Sequence, residues 1–168
     1  VVLFISVFAV FNGIGRPVFG WLTDRLSART AMLLSYAQII TAAGLMLWAK
    51  NGSVGLFAAA FSIFWFNVGG WLAIAPTATN NLYGPKHYSQ NYGIVFTAYG
   101  IGAVLGVSSS GVLLDTFQNY DYIFYLVIAS CLMGSLLTLM LLTGNRAYKN
   151  EVAAEKHLPD LAGRNSSH

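Results

Sequence analysis

The sequence predicts an all-α fold, a polytopic bundle of transmembrane helices, and three observations carry that reading. Of 168 residues, 56% are hydrophobic and 9% charged, against about 25% charged in an ordinary soluble domain. Most of the charges fall in two stretches, 16–29 and 146–164, leaving long blocks without a carboxylate or an amine. The blocks are joined by short polar breaks, and in lipid an open sheet is excluded because its edge groups would have no hydrogen-bond partners.

A hydrocarbon layer about 30 Å thick takes roughly 20 apolar residues at ~1.5 Å rise each. The first block, 1–15, is shorter and reads as a span cut by the start of the chain. Because Val1 is no initiator and neither a basic leader nor a small-residue cleavage site follows, the chain reads as a piece of a longer polypeptide rather than one with a signal peptide. The blocks 30–49, 54–79, 91–114 and 122–143 are each long enough to span. The breaks carry turn chemistry: Lys50-Asn51-Gly52-Ser53, the segment 80–90 with Gly84-Pro85, and 115–121 with Asn119. The expected organisation is thus a bundle over 1–143 and a polar, disordered cytoplasmic tail over 144–168, with a short helical pattern at 151–156.

Orientation follows from the basic residues. Arg16, Arg25, Arg29, Lys86, Arg146, Lys149, Lys156 and Arg164 fall on one side and Lys50 alone on the other, so the first and third connections and the tail are expected in the cytoplasm. Aromatic residues near the span ends, among them Trp21, Trp48, Tyr83 and Tyr120, agree. Trp65, Phe66 and Trp71 lie deeper and read first as packing or lipid contacts.

Several function classes drop out. A net charge of +3 dispersed over connections offers no basic face to nucleic acid. Cys131 has no partner and sits in an apolar run, which marks a buried, inert thiol. No metal or haem ligand set is present, and no cofactor is expected. Gly100-Ile101-Gly102 follows no strand and is no nucleotide loop. An enzyme in the membrane needs paired acids, a metal set, or a nucleophile with its base, and the spans contain none.

The segment Gly20-x-Leu22-x-Asp24-Arg25, followed by Arg29, resembles the G-x-L-x-D-R-x-G-R-R/K motif of the major facilitator superfamily. Ser27 stands where the motif has glycine, and Ala28 replaces a basic residue. The resemblance implies a gating element. Gly20 would let a neighbouring helix come close, and Asp24 would sit near a helix N-terminus or an arginine and lock the cytoplasmic ends. Arg25 and Arg29 would supply the basic part.

Asn12-Gly13-Ile14-Gly15-Arg16-Pro17-Val18-Phe19-Gly20 is similar to the eighth helix of monocarboxylate transporters and oxalate/formate antiporters. Asn91-Tyr92-Gly93-Ile94-Val95-Phe96-Thr97-Ala98-Tyr99-Gly100 is similar to the eleventh helix of the antiporters. The resemblance implies helices eight to twelve of a twelve-helix transporter, whose N-terminal half would be the partner, in the plasma (cell inner) membrane. It further implies a small organic anion, of monocarboxylate type, carried by alternating access as an antiporter or a proton-coupled symporter.

Arg16 is the expected carboxylate partner, because a guanidinium offers a planar, permanently charged fork and a cation at the edge of an apolar span faces a cavity or a partner; interfacial snorkelling is the plain alternative. Tyr99 is expected to donate a hydrogen bond to the same anion, and Asn12 to line the path. Tyr99 stands where oxalate carriers have a lysine, so the second cation suited to a dicarboxylate is absent. Asn12 stands where proton-coupled carriers have an acid, and no acid lies inside the expected spans. Asn67, Gly69, Gly70 and Thr77 are further path candidates, read more simply as interhelical contacts. Gly102 and Gly106 share a helix face that a partner helix can approach. A sugar or drug carrier of the same superfamily, or a membrane sensor or scaffold, remains the alternative.

Overall fold

The computed structural model describes residues 2–49 and 53–141. They form five helices: α1 (Val2–Arg25), α2 (Ala28–Trp48), α3 (Val54–Tyr83), α4 (Tyr88–Phe117) and α5 (Asp121–Leu141). All five are long and apolar enough to cross a membrane. At 21 to 30 residues they extend about 32–45 Å, and the described residues contain no strand.

The helices run past the apolar blocks. The connection expected over 16–29 shrinks to Leu26 and Ser27, because α1 continues through Arg16, Pro17 and Asp24 to Arg25. Backbone hydrogen bonding does not require apolar side chains, and a proline is tolerated in a membrane helix whose neighbours cover the freed carbonyl. Ser27, at the motif's glycine position, is the N-cap of α2, its hydroxyl accepting from the Thr30 N–H at 3.2 Å. α3 and α4 likewise extend to Tyr83 and back to Tyr88. They break at Gly84, whose φ of 76° is left-handed and suits glycine, and whose N–H closes on the Asn80 carbonyl at 2.9 Å. Pro85 opens a single 3-10 turn, Pro85–His87, where its missing N–H costs no hydrogen bond.

α3 is the central element, with α1, α2 and α4 packed on it. The core joins Phe19 of α1, Ala31 of α2 and Ile74 of α3, flanked by Leu22, Met32, Phe66 and Trp71. Phe66 packs on Phe19 at 5.3 Å between ring centroids, and Trp71 on Tyr36 at 5.5 Å, which is the packing role expected of both. α5 rests on α2 at Gly134, where a β-carbon would come 3.0 Å from the Tyr36 ring. Cys131, on the same helix, is a buried free thiol.

α4 has no buried residue. Gly102 and Gly106 face open space, so the helix approach expected on that side involves none of the described helices. Large apolar side chains stay exposed over the whole unit, including Trp21, Ile94, Val107 and Met140, as a lipid-facing surface requires. Lys50, Asn51 and Gly52, and the tail 144–168 with its basic residues, lie outside the described residues.

Candidate functional site

The site is built on the seam between α1 and α3. Glycine at 15, 69 and 70 brings the two backbones together. A β-carbon on Gly15 would collide with the Phe66 carbonyl, one on Gly69 with the Asn12 carbonyl, and one on Gly70 with the Phe19 ring. The role assigned to Gly20 is corrected: a methyl there would meet only the Ala73 β-carbon at 3.9 Å, an ordinary contact. The close approach is made one and a half turns earlier, by Gly15.

Arg16 follows directly after this seam. Nine residues separate it from Arg25 at the end of α1, roughly two and a half turns or ~14 Å of axis. Along the candidate span Phe4–Arg25 this places Arg16 near the middle of the helix rather than at its end. Gly15 is buried and Arg16 exposed, which turns the guanidinium off the seam and away from the α3 backbone.

Asn12 lies one turn before Arg16. Its side-chain amide donates to the backbone carbonyl of Trp65 on α3 at 3.3 Å. Tyr99 lies on α4 and lines a cavity of about 410 Å³ with Trp71, Tyr92, Phe96 and Asn67 among its walls. No α1 residue lines that cavity, and the backbones of α1 and α4 do not approach each other closely among the described residues. The α1-facing side of α3 carries Phe66, Gly69 and Gly70. Its α4-facing side carries Phe64, Val68, Leu72 and Ala75, roughly opposite at 100° per residue. The structure therefore brings Asn12 and Arg16 together and leaves Tyr99 apart from them, against the expectation of a shared carboxylate.

The other polar path candidates make contacts within and between the helices. Asn67, 1% exposed, accepts from the Ser35 hydroxyl at 2.7 Å and donates to the Gln38 side chain at 3.1 Å and the Ile63 carbonyl at 2.9 Å. Thr77 donates to the Ala73 carbonyl one turn back at 2.9 Å. Ser35 and Gln38 were not singled out in the sequence. Their signal, polar side chains three apart on an apolar helix, gains meaning only once α2 is set against α3.

The motif residues gather at one end of the unit. Asp24 shares a polar pocket of about 370 Å³ with Thr77, Asn80, Asn81 and Tyr88. Tyr88 is the first residue of α4, so the pocket that Asp24 lines reaches the start of that helix. Arg25 occupies the last position of α1, where a cation is favoured by the helix dipole. Arg29 is half-buried in the first turn of α2, and its Nε is buried without a hydrogen-bond partner.

The model of the Major Facilitator Superfamily matches residues 2–165. Among curated relatives, the chain is 28% identical over 102 residues to an uncharacterized MFS-type transporter YhjX of Escherichia coli (strain K12), covering 60% of this chain and 25% of the relative. It is 29% identical over 136 residues to monocarboxylate transporter 9 of Rattus norvegicus, covering 81% and 27%. It is 24% identical over 150 residues to an oxalate:formate antiporter of Oxalobacter formigenes, covering 88% and 35%. The chain thus spans about a quarter to a third of the length of these relatives, and no solved structure matches it. With five spanning helices and a family match over nearly its whole length, the chain is an integral multi-pass membrane protein and belongs to the major facilitator superfamily.

Proposed function

We propose that the chain is the C-terminal part of a carrier for a small organic anion of monocarboxylate type. It works by alternating access against an N-terminal half, in exchange for another anion or together with a proton, in the plasma (cell inner) membrane. The observation that carries this reading is Arg16, a permanent cation near the middle of a membrane helix, turned away from the helix that backs it. A cation so placed is costly unless it meets an anion or a water-filled path, and its planar fork matches one carboxylate. The relatives named for monocarboxylates and for oxalate and formate support the same class.

Arg16 is the carboxylate's partner in this reading. Tyr99 keeps a separate part as a hydroxyl in the cavity between α3 and α4 rather than as a second donor to the same carboxylate. Asp24, with Arg25 and Arg29, forms the gating element at the cytoplasmic end.

The test is uptake of labelled formate and lactate by the full-length carrier in proteoliposomes. A hydrogen bond to a charged group contributes ~1.5–3 kcal/mol, so Arg16→Gln is expected to lower uptake at subsaturating anion by about 10- to 100-fold. Arg16→Lys, which keeps the charge and loses the fork, should fall between the two. Unchanged uptake by Arg16→Gln would remove Arg16 from the site.

A further inference from the structure

We propose that Asn12 is a positioning residue for Arg16, with Gly69 of α3 as the socket that lets it act. The functional meaning of this inference rests on the Arg16 reading above, but its geometry does not. A helix carbonyl has two lone pairs and gives one to the N–H four residues on. For the Trp65 carbonyl that residue is Gly69. Because Gly69 lacks the β-carbon that would run into the Asn12 backbone carbonyl, α1 comes close enough for the Asn12 amide to reach the Trp65 carbonyl at 3.3 Å.

The same turn of α1 is held at two further points, where the Asn12 carbonyl lies against Gly69 and where Gly15 lies against the Phe66 carbonyl. Three contacts inside one turn, two of them backbone to backbone, leave α1 little freedom to roll on α3. Arg16 stands about 40° around the helix from Asn12 and about 100° from Gly15. Any roll of that turn therefore moves the guanidinium directly. Asn12 contributes to the anion site by fixing this angle, and its amide is spent on α3 rather than on the anion.

The experiment reads the angle through a thiol. In the full-length carrier freed of its other cysteines, with Cys131→Ser, Arg16→Cys is labelled by a charged methanethiosulfonate reagent. Ile94→Cys on α4, 70% exposed, serves as the reference in a parallel protein. Adding Asn12→Ala is expected to change the labelling rate at position 16 by about threefold, the factor equivalent to the ~0.6 kcal/mol of an average interhelical side-chain hydrogen bond in a membrane.

Gly69→Ala should change the rate at position 16 as well, with or without the Asn12 amide, because its β-carbon meets the Asn12 backbone carbonyl. The rate at position 94 should stay constant. An unchanged rate at 16 with Asn12→Ala, or an equal change at 94 from general loosening, would each overturn the proposal. No anion enters this measurement, so failure of Arg16→Gln to impair uptake would sink the proposed function and leave the positioning role standing.

Discussion

Asn67 illustrates how one polar side chain is held inside an apolar unit. Its carbonyl accepts from Ser35 and its amide donates to Gln38 and to the Ile63 backbone, so its amide is paired on both its oxygen and its nitrogen and two of the partners belong to α2. Two interhelical bonds at ~0.6 kcal/mol each set a floor of about 1 kcal/mol for their loss. The stranded Ser35 hydroxyl, fully buried, raises the cost toward ~2 kcal/mol. Asn67→Leu should therefore lower the thermal unfolding midpoint in detergent. Adding Ser35→Ala and Gln38→Leu should recover most of the loss, because removing all the partners leaves no orphan. A triple variant less stable than the single one would show that the network is not the source of the cost.

At the level of the helix, α1 separates two kinds of glycine that look alike in the sequence. Gly13 has open space around its β-position, whereas a β-carbon on Gly15 would run into the backbone of α3 at Phe66. Gly15→Ala should cost roughly 1–3 kcal/mol by forcing the seam apart. Gly13→Ala should cost nothing, since alanine is the better helix former. Unfolding midpoints of the two variants, measured side by side, check the contrast, and equal loss in both would deny the seam. The example also shows where reading from residues alone runs out. The five helices and their order were legible, because apolar length is a property of each segment by itself. The ends of α1 were not, because a helix continues through Arg16 and Asp24 as readily as through leucine, and this moved Arg16 from the end of the helix to near its middle. Nor was it legible that Gly15, and not Gly20, makes the close contact, or that Tyr99 lies across α3 from Arg16. Both depend on the angle at which one helix meets another.

For the molecule as a whole, the described charges fix a topology. Arg25 and Arg29 flank the turn between α1 and α2, and Lys86 lies in the turn between α3 and α4. Two spans separate these turns, so they emerge on one face, while the turn between α4 and α5, with Gln118 and Asn119, emerges on the other and carries no basic residue. Each lysine or arginine near an anionic cytoplasmic surface contributes ~1 kcal/mol, and translocating them is disfavoured. Three such residues against Lys50 alone on the other face still outweigh thermal energy, so the face bearing Leu26 and His87 is expected in the cytoplasm. In the full-length carrier in intact cells, a membrane-impermeant thiol reagent should label Asn119→Cys directly. It should label Leu26→Cys and His87→Cys only after the membrane is permeabilised. Labelling of Leu26→Cys from outside would invert the bundle. That inversion would also place the Asp24 pocket at the wrong mouth for a cytoplasmic gate, leaving the place of Arg16 along α1 untouched.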